Sequence, residues 1–326
     1  MTEIKWGIIG CGAVTEIKSG PAFNKVKNSS LIAVMRRNGE KAKDYARRHD
    51  VPKWYDDATK LINDKDVNAI YIATPPSSHE AYTLAALQAG KPVYVEKPMT
   101  INFSSALRMA QAAENTGIKM CIAHYRRAQP YFNKIKPLID DKIIGDIRFA
   151  NLNFYKKLLS QEELELTGNK WRVDGNISGG GLFHDLAPHQ LDLMYYFFGD
   201  VEYSKGIAIN QSLVYDADDV VSGNILFKNG IIFDGLWCFN TDKENEKDIC
   251  EIVGSEGSIS FSVFGEQKIF LKKNGTSETI AFTPPQHVQQ PMIEKVVEYF
   301  LDEGSNPCSG EDGVEVMKLL DSFTEK

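Results

Sequence analysis

No stretch of the 326-residue chain approaches the roughly 20 consecutive apolar residues that cross a bilayer. Internal repeats and low-complexity tracts are missing as well. There is no basic excess: 37 Lys and Arg against 44 Asp and Glu leave a net charge of −7. A nucleic-acid footprint is therefore not expected, and no acidic excess is strong enough to specify a partner. Residues 1–5 lead straight into an apolar segment, without the basic start and long apolar run of a secretion signal. Cysteine is scarce. Cys11, Cys121, Cys238, Cys250 and Cys308 are odd in number and scattered, which argues against a disulfide framework and for reduced thiols in a cytoplasmic protein. No Cys/His spacing suggests a zinc site, and no metal is expected. What remains is an ordinary globular composition and a length that implies about two domains.

The stretch Val93-Tyr94-Val95-Glu96-Lys97-Pro98 organises the rest. Val, Tyr and Val favour an enclosed strand, and Pro98 stops its pairing because it has no N–H. Lys97 is thereby delivered at the carboxyl end of a strand, the edge where open α/β sheets bind ligands. A partly desolvated ammonium there can exchange protons with a substrate hydroxyl; a surface Lys paired with Glu96 is the alternative.

Ahead of it, the apolar run 4–9 is followed by Gly10-Cys11-Gly12-Ala13-Val14-Thr15. This is most of a dinucleotide fingerprint in its proper context. Gly10 permits a tight turn, Gly12 lets backbone approach a pyrophosphate, and the next helix offers its N–H groups. Thr15 replaces the third glycine, which predicts looser helix–strand packing. Gly20-Pro21 should end that helix early. The second strand, 31–35, ends in Arg36-Arg37-Asn38 with no carboxylate for a ribose 2′-hydroxyl. Two guanidinium groups suit a 2′-phosphate, hence NADP over NAD; solvated surface charge is the other reading. The strand at 68–73 ends at Thr74-Pro75-Pro76, again on the ligand edge. His79 falls in the first turn of the following helix, either as a coenzyme contact or as a surface histidine. Helix 103–116 and strand 119–123 complete the alternation, so a doubly wound parallel sheet is expected over residues 1–123.

Residues 124–326 read differently. After a helix over 129–140 and a strand over 148–155, residues 161–170 form a polar, charged connection. Trp171-Arg172 precedes Gly179-Gly180-Gly181 and is a candidate cover for a nicotinamide or a substrate, a buried Trp being the commoner explanation of such a pair. In the next segment Asp185, His189 and Asp192 share one face if it is helical throughout. Pro188 allows two solutions: Asp185 as N-cap, or a kinked helix starting at the glycines. From Val201 onward, short strands flank Lys228-Asn229-Gly230 and Asn274-Gly275, so a mostly antiparallel sheet is expected, followed by two closing helices.

These residues resemble the glucose–fructose oxidoreductase/inositol dehydrogenase (Gfo/Idh/MocA) family along the whole chain. The resemblance rests on Gly10-Cys11-Gly12, Ala73-Thr74-Pro75-Pro76 with Ser78-His79, Ala89-Gly90-Lys91-Pro92, Glu96-Lys97-Pro98, and the string from Gly179 through Asp185 and His189 to Asp192. It implies an N-terminal Rossmann domain and a C-terminal α+β domain with a large, mostly antiparallel sheet. That domain is expected to bind substrate, and since broad sheets with mixed faces often pair, its second face is expected to join copies into a homodimer or homotetramer. The resemblance implies hydride transfer between a nicotinamide and a sugar, cyclitol or related carbinol. By motif, Lys97, Asp185 and His189 match the catalytic set. Gly10, Gly12, Ala13, Val14, Arg36, Arg37, Thr74, Pro75, His79, Glu96, Lys97, Trp171 and Arg172 are the expected coenzyme contacts. Two other uses of the same parts stand beside this one: glycoside cleavage through transient oxidation by tightly held NAD, and a non-catalytic NADP-responsive binding protein.

Overall fold

The computed structural model describes residues 2–325 and divides into two compact units. The first comprises the residues up to Gln129 together with Pro285–Met317. The second comprises Pro130–Pro284 and the residues from Lys318 on.

In the first unit the apolar runs become β1 (Ile4–Ile9), β2 (Ser29–Met35), β3 (Lys53–Tyr55), β4 (Ala69–Ile72), β5 (Val93–Val95) and β6 (Met120–Ile122). All pair in parallel, in the order β3-β2-β1-β4-β5-β6. Helices α1 (Ala13–Ile17), α2 (Gly39–Arg48), α3 (Ala58–Ile62), α4 (His79–Gln88) and α5 (Phe103–Thr116) connect them. Strands of this kind are covered on both faces, which is why β4 and β5 are apolar and buried at every position. The order reverses between β1 and β4, so the ligand crevice of the doubly wound fold lies beyond their carboxyl ends.

The second unit begins with α6 (Pro130–Asp140) and β7 (Ile147–Lys157). The polar, charged connection over 161–170 forms two short helices, α7 (Gln161–Glu165) and α8 (Thr167–Lys170), and a third, α9 (Gly175–Ser178), follows Trp171-Arg172. A capping box between Ser160 and Glu163 starts the first of them. Then come α10 (Gly181–Phe198) and the strands β8 (Val201–Ile209), β9 (Val220–Phe227), β10 (Ile232–Thr241), β11 (Lys247–Gly254), β12 (Gly257–Phe261), β13 (Lys268–Lys273) and β14 (Thr276–Ala281). With β7 they form one sheet, β14-β13-β12-β11-β7-β10-β9-β8, antiparallel except at β7–β10. Helices α11 (Gln290–Phe300) and α12 (Gly310–Thr324) close the chain.

Each unit has an aromatic core. In the first, the Trp6 ring lies 4.8 Å from Phe23 and 5.6 Å from Phe300 of α11. In the second, Trp237 packs edge-on to Phe183 of α10 at 5.1 Å and 6.0 Å from Phe323. Phe323 fits because Gly206 and Gly223 face it; a Cβ on Gly223 would come within 2.3 Å of its ring. Among the described residues, no helix is long and apolar enough to cross a membrane.

Candidate active site

The coenzyme edge of the first unit begins where β1 ends. Gly10 has φ +97°, and its N–H donates to the Met35 carbonyl at 2.9 Å. A Cβ there would lie 2.8 Å from the Thr74 backbone nitrogen. Only glycine allows both this conformation and this approach of β1 to the end of β4. Gly12 caps α1 from outside, and a Cβ on it would meet nothing nearer than the Gly10 carbonyl at 3.8 Å. The space beside it is open, as a pyrophosphate requires. No side chain caps α1, and the first N–H groups of a helix lack intrahelical partners; here they belong to Ala13 and Val14. With five residues α1 has little dipole, so these N–H groups matter more than its field.

Thr15 does not loosen the packing as expected. It is fully buried, its hydroxyl donates to the Gly12 carbonyl at 2.9 Å, and its own carbonyl accepts the Tyr45 hydroxyl at 2.8 Å. Gly20 supplies the needed room, since a Cβ there would strike both partners. Arg36 leans back on the turn, with Nη1 3.4 Å from the Cys11 carbonyl, while Arg37 is exposed.

Beyond β4 and β5 the structure gathers Thr74, Pro75, His79, Glu96 and Lys97. His79 is fully buried, not a surface residue. Its Nε2 lies 2.6 Å from the Thr74 carbonyl, and its Nδ1 lies 3.1 and 3.3 Å from the carbonyls of Pro98 and Met99. It braces the two strand-end loops against each other, and burial holds its pKa below the ordinary histidine value against the pull of those carbonyls. Glu96 is also buried and committed. Its Oε1 accepts from the Tyr71 hydroxyl at 2.5 Å and from Gln289 Nε2 at 2.6 Å, and its Oε2 accepts the Lys97 backbone N–H at 3.2 Å. Lys97 is half-buried, and the peptide bond to Pro98 is cis.

Sequence reasoning did not single out His124, just past β6. It is buried, and its pKa is driven well below the usual range by desolvation, reinforced by the charges of Arg127 and Lys97. An imidazole held neutral beside the Lys97 ammonium is thus part of this edge. Gln289 was missed too, because nothing in its neighbourhood resembles a motif.

In the second unit, α10 starts at the glycines and runs through Pro188, so Asp185 is not an N-cap. Asp185, His189 and Asp192 are all buried on it. The His189 ring meets Phe264 edge-on at 5.5 Å. Asp185 accepts a hydrogen bond from Arg172 Nε at 2.8 Å, and the guanidinium stacks over the Trp171 ring at 4.8 Å. Arg172 Nη1 also donates to the Gly168 carbonyl in α8. The Trp171-Arg172 pair is therefore joined to the proposed catalytic helix through a carboxylate.

Comparison with known proteins agrees with both halves. The model of the Gfo/Idh/MocA oxidoreductase family, NAD-binding Rossmann fold, matches residues 4–124, and that of the Gfo/Idh/MocA C-terminal domain matches 132–260. An oxidoreductase of Formosa agariphila is 48% identical over 99% of this chain and 98% of its own length. The 1,5-anhydro-D-fructose reductase of Ensifer adhaerens is 26% identical over 95% of this chain and 92% of its own. A levoglucosan dehydrogenase solved with NADH and levoglucosan superposes with a TM-score of 0.86 over 98% of this chain and 96% of that one; at 22% identity this likeness shows a shared fold. The chain belongs to the Gfo/Idh/MocA family of oxidoreductases, NAD-binding Rossmann proteins acting as dehydrogenases or reductases on CH–OH groups.

Proposed function

We propose that this oxidoreductase moves a hydride between a nicotinamide coenzyme, NADP in preference to NAD, and a sugar, anhydrosugar or related polyol or carbonyl. The observation that carries the reading is that the chain holds both a half-buried amine, Lys97, on the ligand edge of the first unit and a helix with buried Asp185 and His189 in the second. The names of the reductase and the dehydrogenase reported above support the carbohydrate class.

Bound coenzyme supplies or accepts the hydride. The protein's own residues do the rest. At the Gly10–Val14 turn the N–H groups of Ala13 and Val14 hold the pyrophosphate, and Thr74 and Pro75 line the other side of the crevice. Arg36 and Arg37 pair with a 2′-phosphate. His189 takes or gives the carbinol proton, a step typically worth about 10²–10⁴-fold in rate. Lys97 hydrogen-bonds the same oxygen and stabilises its developing negative charge. Asp185, held by Arg172, orients His189 or binds a neighbouring hydroxyl. We also infer assembly of copies through the open face of the eight-stranded sheet, and a cytoplasmic location, in keeping with five free cysteines.

The test is titration with NADPH and NADH by coenzyme fluorescence, followed by a panel of sugars, anhydrosugars and polyols. NADPH is expected to bind at least tenfold more tightly; a clear NADH preference removes the role given to Arg36 and Arg37. Lys97→Ala and His189→Asn should keep most of their NADPH affinity and lose about 10²-fold or more in turnover. Normal turnover in Lys97→Ala takes that amine out of the mechanism.

A further inference from the structure

Gln289 lies far from every motif in sequence, yet it touches both the Glu96–Lys97 turn and the far end of α1. Its side-chain Nε2 donates to Glu96 Oε1 at 2.6 Å, and the same carboxylate, through Oε2, takes the Lys97 backbone N–H at 3.2 Å. Its backbone N–H donates to the Lys18 carbonyl at 3.2 Å, just past the C-terminus of α1. Two residues earlier, His287 Nδ1 lies 2.6 Å from the Ile17 carbonyl. The carbonyls at the end of so short a helix lack intrahelical donors, and this segment provides them. Gln289 is itself fixed: it is almost wholly buried, and the Tyr94 hydroxyl from the organising strand reaches its Oε1 at 3.4 Å.

We propose that Gln289 is a positioning residue that sets the Glu96–Lys97 turn and ties it to the phosphate helix α1. The proposal rests on the reading of Lys97 as the amine at the carbinol oxygen. A buried carboxylate with one donor removed turns toward another, and the backbone N–H it holds moves with it. Side chain and backbone divide the work. The side chain governs the Lys97 turn, whereas the contact with Lys18 survives any substitution that keeps an N–H.

The test is hydrogen exchange of the Lys97 amide, read in peptides covering residues 94–99, with NADPH affinity measured alongside. Gln289→Glu keeps the shape but removes the donor, and Gln289→Ala removes both. Each should lower Lys97 amide protection at least about tenfold while NADPH affinity stays within about threefold. The reversed pair, Glu96→Gln with Gln289→Glu, restores an amide–carboxylate contact and should recover most of that protection. A merely space-filling role would show no such rescue. Unchanged protection in the single variants, or a double variant no better protected than the singles, overturns the proposal. Loss of protection in Gln289→Ala combined with normal turnover in Lys97→Ala would leave the positioning intact and remove the catalytic reading of Lys97 instead.

Discussion

The carboxylate of Asp185 is shared between two assignments, and Arg172 decides how it is used. A charge-assisted contact at 2.8 Å in a half-buried setting contributes about 1.5–3 kcal/mol. If the guanidinium acts through Asp185, Arg172→Ala loses about tenfold to a hundredfold in kcat with little change in coenzyme affinity. Arg172→Lys recovers only part of this, because an ammonium cannot hold Asp185, the Gly168 carbonyl and the Trp171 face together. Steady-state kinetics beside NADPH titration distinguish the two assignments: a loss confined to coenzyme affinity would make Arg172 a coenzyme residue. The spacing of Asp185, His189 and Asp192 was legible from residue types, because helical periodicity needs no tertiary information. The partner of Asp185 was not, since it depends on how α8 and the residues after it fold back.

Helix α10 shows what a local pattern leaves undecided. Pro188 permitted a late start at Asp185 or an early one at the glycines, and both satisfied the backbone on paper. Packing selects the early start: the ring of His184 lies over Gly180, where a Cβ would fall 2.2 Å from Nδ1. Pro188 then leaves the His184 carbonyl without its helical donor. Burial pushes the His184 imidazole down to about 4 from 6.5. A base with a depressed folded value binds its proton first in the unfolded chain. Stability from this group is therefore complete above about 6.5 and drains away as the pH falls toward about 4. His184→Gln should flatten the stability–pH curve across that window by at most about 1.4 kcal/mol per pH unit, as measured by urea unfolding at a series of pH values. His79 and His124 are shifted in the same direction, so the difference between wild type and variant carries the result. Parallel curves would mean that His184 is not held neutral. Helix α1 makes the complementary point. Its glycine turn was legible from three residues, while the contacts that hold its far end come from His287 and Gln289, which no local pattern could link to it.

At the scale of the molecule, the parallel sheet was legible because strands and helices alternate, and the second sheet because hairpin turns punctuate it. The parallel pairing of β7 with β10 and the return of Pro285–Met317 to the first unit were not, since neither leaves a mark on its own segment. The outer face of the second sheet carries the remaining expectation. Tyr203, Leu226, Ile232 and Phe149 are consecutive cross-strand partners over β8, β9, β10 and β7. Directly opposed residues share a face, so they form one apolar row, and all four are exposed, Tyr203 at 58% and Ile232 at 47%. A row of this kind across four strands is what the proposed pairing of copies through this face calls for. Sedimentation at micromolar concentration should show a dimer or tetramer of this chain. Leu226→Glu with Ile232→Lys, which changes only exposed positions, should shift it to monomer with unchanged circular dichroism. The melting temperature of the wild type should then rise with protein concentration while that of the variant should not. A wild type that sediments as a monomer at every concentration would leave the row without a second copy to cover it.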